Sequence, residues 1–441
     1  MDKIQLNLLS KIRKYFLIRN NYNYKPKYDS IFYLASYSNF IGSYVLKKIA
    51  NVQNNNFLKN LIIILKDIIF SLKHMNHSIY FNDIPAKYEK LIVTWAFKDN
   101  FDKKGNLIDR YLNIKSDKLN NTIWFVVYMS EEIPKKVGKN IILFTRNEKI
   151  SLNFFKFFKF LISNFIFVFK DLNYFLCSVS NYNFFSIQIL NKLKPFFTPE
   201  LKYLLMPYEG QPFQNNIIAF LKNKKIKTQI IGYIHSPPLA LPSNFIYKSF
   251  SPDKIILNGK DQIHCFTKLL GWKKSKTRLL PSFRFLKSVT KAKNIIYLPF
   301  AVREPQIILR SLEYLTKNDY INIKNFKAKN HPASFNSKKN LILIETIQKL
   351  KKNNKINKFK KIKGDYLIFI GNSGGIIEAL ERGSKVIQIV EFPLFDIYSS
   401  KIWPSIMRKK INENIYLYSL RKKGNLIKLG NKKNTTTNLF Y

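Results

Sequence analysis

The stretch Gly371-Asn372-Ser373-Gly374-Gly375-Ile376-Ile377-Glu378 places small and hydroxyl residues between an apolar run and an amphipathic one. It reads as a strand-to-helix turn, where backbone N–H groups can approach an anion closely. The helix N-terminus beyond it adds a dipole that favours phosphate. Ser373, Gly374 and Gly375 are therefore candidate phosphate ligands, and Glu378 in the first helical turn is a candidate acceptor for ribose hydroxyls. The bland alternative is that any tight βα turn favours glycine and serine.

Two further groups have the residue types for a shared site. In Lys329-Asn330-His331-Pro332, Pro332 fixes an extended His331 and favours a helix start just beyond it. With a strand over 321–323, His331 falls at the carboxyl end of a parallel strand, where open α/β sheets bind ligands. In Met206-Pro207-Tyr208-Glu209-Gly210-Gln211-Pro212-Phe213, Glu209 follows an apolar run and precedes a helix. It reads either as a general base on an acceptor hydroxyl or as a cap for that helix. Downstream, Gly232-Tyr233-Ile234-His235-Ser236-Pro237 puts His235 at another strand end, lining the same cleft.

Positioning these groups requires parallel sheets. Continuous apolar runs lie at 31–35, 91–94, 123–128, 141–144, 203–206, 229–234 and 254–257, and after a break at 295–298, 321–323, 366–370 and 386–390. Unbroken rather than alternating hydrophobicity is what strands buried on both faces require. Separated by helix-length segments, they predict an α/β architecture twice over. The expected division is an N-terminal domain over 1–290 with a helical insertion near 151–199, a C-terminal domain over 291–422, and a frayed polar tail over 423–441.

The chain has 75 Lys and Arg against 27 Asp and Glu, a formal net charge of +48. That excess points either to an anionic partner, such as an acidic membrane surface, or to the codon drift of an AT-rich genome, which also supplies Asn, Ile, Phe and Tyr. Two cysteines, Cys177 and Cys265, have no metal-ligand spacing and suit a reducing compartment. The apolar stretches 61–72 and 154–169 carry lysines and fall short of the ~20 residues of a spanning helix. The first 20 residues are punctuated by Lys and Arg, which predicts no secretory signal. The expected location is cytoplasmic, peripheral at the inner face of the plasma membrane.

The order of these motifs resembles the GT-B glycosyltransferases that carry a His-Pro motif followed by a serine-containing loop. That group includes bacterial sialyltransferases, capsular Kdo transferases and polyol-phosphate transferases of wall polymers. The stretch 208–213, with Ser251-Pro252-Asp253 and Gly271-Trp272, is also similar to bacterial surface-carbohydrate biosynthesis proteins. The resemblance covers about 203–393. It implies two Rossmann-like domains facing a central cleft, a nucleotide-sugar donor (a CMP-sugar favoured), and a saccharide or lipid-linked saccharide acceptor in a growing surface polysaccharide or lipopolysaccharide. It implies no metal and no cofactor besides the donor, with His331 and Ser373 on the donor phosphate and Glu209 as base. The loop departs from sialyltransferase-like members in having Ser373-Gly374-Gly375 where paired hydroxyl residues are usual. The alternatives are a CDP-linked polyol-phosphate transferase on the same fold, or a basic nucleic-acid-binding or scaffold protein. Basic residues are spread evenly and no RNA- or DNA-binding module is present, so no specific nucleic acid is expected.

Overall fold

The computed structural model describes residues 1–20, 62, 77–146, 158–159, 161–163, 181–289, 292–299, 302, 304–331, 338–353, 366–431 and 439–440. The expected strand over 31–35, most of the apolar stretches 61–72 and 154–169, Cys177 and Pro332 lie outside the described residues.

After helix α1 (Asp2–Asn20), the chain builds a first sheet from β1 (His77–Tyr80) and β2 (Lys90–Ala96). A small hairpin, β3 (Ile108–Asp109) and β4 (Ile114–Lys115), stands apart from that sheet. The sheet continues with β5 (Thr122–Tyr128), β6 (Ile141–Arg146), β7 (Tyr203–Pro207), β8 (Gln229–Tyr233), β9 (Lys254–Leu257) and β10 (Thr277–Leu279). Its spatial order is β1-β6-β5-β2-β7-β8-β9-β10. β1 runs antiparallel to β6, and the other pairings are parallel. Every residue of β5 is buried, as its unbroken Thr-Ile-Trp-Phe-Val-Val-Tyr run requires. The chain moves outward from β2 through β5 to β6, then crosses by way of α2 (Asn181–Leu193) to β7 on the other side. The switch point of this Rossmann-like sheet is therefore the β2–β7 boundary.

The second sheet comprises β11 (Ile295–Tyr297), β12 (Lys327–Lys329), β13 (Tyr366–Ile370), β14 (Lys385–Ile389), β15 (Ile406–Lys410) and β16 (Ile415–Leu420), ordered β12-β11-β13-β14-β16-β15. Four strands are parallel, and β16 and β15 extend the sheet antiparallel. Its switch point lies between β11 and β13. The helix between β11 and β12, Pro305–Lys317, starts on a proline and buries Ile308, Leu312 and Leu315 at helical spacing. The α/β class with two Rossmann-like, parallel-dominated sheets is what the chain adopts.

Two local expectations need correction, and a third falls largely outside the described residues. Residues 321–323 do not form a strand: Ile323–Asn325 is a 3-10 turn, and the edge strand is Lys327–Lys329. Asn322 causes this by capping the turn, its side chain accepting from the Lys324 amide at 3.1 Å. Within the segment expected to fray after 423, the described residues Leu426, Ile427, Leu439 and Phe440 are instead buried. Of the insertion expected over 151–199, Asn181–Leu193 is helical and much of the remainder lies outside the described residues.

The halves are joined at several places among the described residues. One hydrophobic cluster contains Leu204, Phe213 and Ile255 from the first sheet side together with Leu367, Phe395 and Trp403 from the second. Helix α1 lies across both: Gln5 Nε2 donates to the carbonyls of Leu394 and Ile397, and Leu8, Leu9 and Ile12 are buried in that cluster. The segment 424–430 returns to the first half. Glu381, the last residue of the helix Gly375–Glu381 between β13 and β14, accepts from the amides of Gly424, Leu426 and Ile427. The Leu426 carbonyl then accepts from Gln262 of the first half at 2.9 Å.

Candidate active site

Glu209 is presented by a turn that its own neighbours fold. Helix α3 (Pro212–Asn223) has proline in its first turn, and Gln211 and Gln214 form a capping box at its start. Gln214 Oε1 accepts from the amides of both Glu209 and Gln211, while its Nε2 donates to the Pro207 carbonyl at 2.7 Å. Gly210, at φ +68, carries the chain past Asn244 so closely that a Cβ would overlap the Asn244 carbonyl. Because the two glutamines supply the cap, the Glu209 carboxylate faces elsewhere.

It faces His235. Glu209 Oε1 lies 3.2 Å from His235 Nε2, and Glu209 Oε2 accepts from Gln211 Nε2 at 2.7 Å. The Glu209 side chain is 23% exposed and that of His235 only 2%. Burial pushes the Glu209 carboxyl upward, but the hydrogen bond from His235, the charge that ring carries when acid protonates it, and Gln211 and Arg284 together outweigh it and hold the pKa below the usual range. Burial is the stronger influence on His235 and lowers its pKa despite Glu209. The pair is thus a carboxylate accepting from a neutral imidazole. Nε2 carries the proton, and Nδ1 is left buried without a hydrogen-bond partner among the described residues.

Aromatic side chains from three elements wall this pair. Tyr111 meets the His235 ring edge-on at 4.4 Å between centroids, and Trp95 at the end of β2 lies 5.7 Å from Phe213 and 6.2 Å from His235. Tyr111 is fixed by buried Asp109, which accepts from the Tyr111 and Leu112 amides and from the Thr94 hydroxyl at 2.6 Å. Burial, then the charge of Glu209, pushes the Tyr111 phenol up to about 12, so it stays protonated. Trp95 lies at the carboxyl end of β2 and Glu209 follows β7, so the group sits at the switch point of the first sheet.

The serine loop occupies the switch point of the second sheet and abuts the first. A Cβ on Gly374 would lie 3.2 Å from the Pro237 carbonyl oxygen and 3.5 Å from Ser236 Oγ. The loops 235–237 and 373–375 are therefore in van der Waals contact. Asn372 spans the same gap, donating to the Phe395 carbonyl at 2.6 Å and accepting from the Ala240 amide at 3.4 Å. Ser373 Oγ accepts from the Gly375 amide at 3.1 Å, and the Ser373 carbonyl accepts from the Tyr398 hydroxyl.

The other expected residues are placed differently. Glu378 is bound to Arg382, Nε to Oε1 at 2.9 Å, and Arg382 also donates to the Leu286 and Val289 carbonyls. Its carboxylate therefore braces the connection between the sheets. His331 is exposed at the end of edge strand β12, with β11 between it and the serine loop. Tyr111, Trp95 and Arg284 were not anticipated from sequence, since no local motif marks them.

No protein-family model and no curated protein matches this chain. Among solved structures, a glycosyltransferase from Rickettsia africae ESF-5 is similar at 11% sequence identity and a TM-score of 0.31, over 69% of this chain and 79% of that one. Among the described residues, no helix is long and apolar enough to cross a membrane.

Proposed function

We propose that the chain is a glycosyltransferase whose donor is a nucleotide-activated sugar and whose acceptor hydroxyl is deprotonated by Glu209. The observation that carries this reading is the contact between loops 235–237 and 373–375. It brings a partly exposed carboxylate–imidazole pair on one sheet beside a serine–glycine turn on the other. The Ser373 hydroxyl and the Gly374 amide suit the donor phosphate, and the Gly375 amide would join them by exchanging Ser373 Oγ for a phosphate oxygen. Glu209, ionised and reachable, suits the acceptor. In the reaction the acceptor oxygen bonds to the anomeric carbon as its proton passes to the Glu209 carboxylate. The anomeric carbon–oxygen bond to the phosphate breaks, and its electron pair leaves on the nucleotide. His235 holds the carboxylate in place through Nε2, and the aromatic wall keeps water away from the imidazole while the carboxylate stays open to the acceptor.

His331, across β11 on the same sheet edge, is assigned to the nucleotide end of a donor that extends from the serine loop. A CMP-sugar donor and a surface-polysaccharide acceptor are the finer form of this reading, resting on the motif resemblance alone.

The test is calorimetry with CMP, CDP, UDP and GDP, paired with a transfer assay on the nucleotide-sugar of whichever nucleotide binds. Glu209→Gln is expected to lose about 10²–10⁴-fold in turnover with nucleotide affinity unchanged. Ser373→Ala and His331→Ala are expected to weaken nucleotide affinity. Equal weak binding of all four nucleotides, unchanged in these variants, would sink the donor-site assignment.

A further inference from the structure

Arg284 follows Phe283, whose amide donates to the Tyr233 hydroxyl at 2.9 Å and whose ring meets Tyr233 edge-on with centroids 5.5 Å apart. That anchor folds the segment beyond β10 back over the end of β8. The Arg284 guanidinium carbon then lies 5.4 Å from the centroid of Tyr111 and 5.3 Å from that of Phe285. Tyr111 is in turn packed on His235, which is bonded to Glu209. The Arg284 side chain is exposed, and among the described residues it is paired with no carboxylate.

In a chain with 75 Lys and Arg against 27 Asp and Glu, an unpaired cation is ordinary. This one is set apart by the two rings that flank it, Tyr111 and Phe285, at the edge of a carboxylate–imidazole pair. The placement also works against the base. The charge of Arg284 lowers the proton affinity of Glu209 and of His235 alike. A fixed cation that weakens a neighbouring base makes chemical sense where the substrate brings a negative charge to neutralise it.

We infer that Arg284, backed by Tyr111 and Phe285, binds an anionic substituent on the acceptor sugar, a carboxylate or a phosphate. This rests on the transferase reading for the word acceptor. The guanidinium fork matches either anion bidentately. The Tyr111 ring offers an apolar face to the sugar ring beside it. The acceptor rather than the donor is assigned because Arg284 is anchored through Tyr233 and Tyr111 to the first sheet, whereas the serine loop belongs to the second.

The probes are glucuronate, glucose 6-phosphate and glucose, titrated into the full chain at ~0.5 M salt to suppress adventitious attraction to a basic surface. Wild type, Arg284→Gln and Arg284→Lys are compared, with nucleotide binding measured on each as a fold control. The expected result is that wild type prefers at least one anionic sugar over glucose by about tenfold or more, roughly the strength of one charge-assisted hydrogen bond. Arg284→Gln should abolish that preference with nucleotide affinity intact, and Arg284→Lys should restore part of it. Whichever anion is preferred names the substituent. An anionic preference that survives in Arg284→Gln, or none in wild type, overturns the inference. If the preference follows Arg284 but no nucleotide-sugar is turned over, the anion site stands and the transferase reading fails. If transfer proceeds and Arg284→Gln changes nothing, the reverse holds.

Discussion

His235 is neutral because it is buried, and Glu209 is ionised because its partners outweigh its burial. Both folded pKa values lie below their ordinary 6.5 and 4.5, so in this range the unfolded chain binds more protons than the folded one. Stability is then fully present above pH ~6.5 and falls as acid protonates unfolded histidine first and glutamate later. The thermal midpoint of the wild type should drop as pH is lowered from about 7.5 to 5.5, and His235→Gln should flatten that drop. An identical slope in the variant, read by calorimetry in matched buffers, would place the titration elsewhere. Glu209 and His235 were legible in sequence because each comes within three residues of the end of an apolar run. Tyr111 and Arg284 were not, because residues 111, 209, 235 and 284 are brought together only by the sheet order and by contacts such as Phe283 on Tyr233.

At the scale of elements, the turn between β7 and α3 bears most directly on chemistry. Gly210→Ala would force an L residue into the left-handed region, costing ~1–3 kcal/mol, and push a methyl group onto the Asn244 carbonyl. The variant should lose about 2 kcal/mol or more in denaturant unfolding, with reduced turnover in whatever remains folded, because Glu209 is the next residue. A variant as stable and active as wild type would show that the turn tolerates a second conformation. The long strands were readable as unbroken apolar runs, β5 and β13 most plainly. Short or half-exposed strands were not. Lys327–Lys329 has cations at both ends, and β15 reads Ile-Met-Arg-Lys-Lys, which resembles a loop until pairing with β16 defines it. A three-residue strand has too little pattern for periodicity to register.

Across the whole molecule, the two sheets share one hydrophobic cluster and are tied by buried hydrogen bonds, including those from Ser405 to the Asp261 carboxylate at 2.7 and 2.9 Å. Unfolding should therefore be a single cooperative transition by calorimetry and by fluorescence. Ile12→Ala, on a helix that touches both halves, should cost about 2–5 kcal/mol and lower that one transition. Two resolved transitions, with only one moved by Ile12→Ala, would mean the halves are stabilised separately. The two-sheet plan was legible from the spacing of apolar runs. The joining of its ends was not, since nothing local announces that Gln5 will meet Leu394 or that Gln262 will meet Leu426.

That crossing of the ends bears on how the protein comes off the ribosome. Synthesis runs from the amino terminus, and a domain ordinarily folds once its own residues have emerged. Here α1 waits for Leu394 and Ile397, and the first sheet lacks the cover of Leu426, Leu439 and Phe440 until those residues have been made. The half made first thus stays uncovered until residues 426–440 have been added, and a frameshift or stop codon between residues 421 and 426 would strip apolar cover from it.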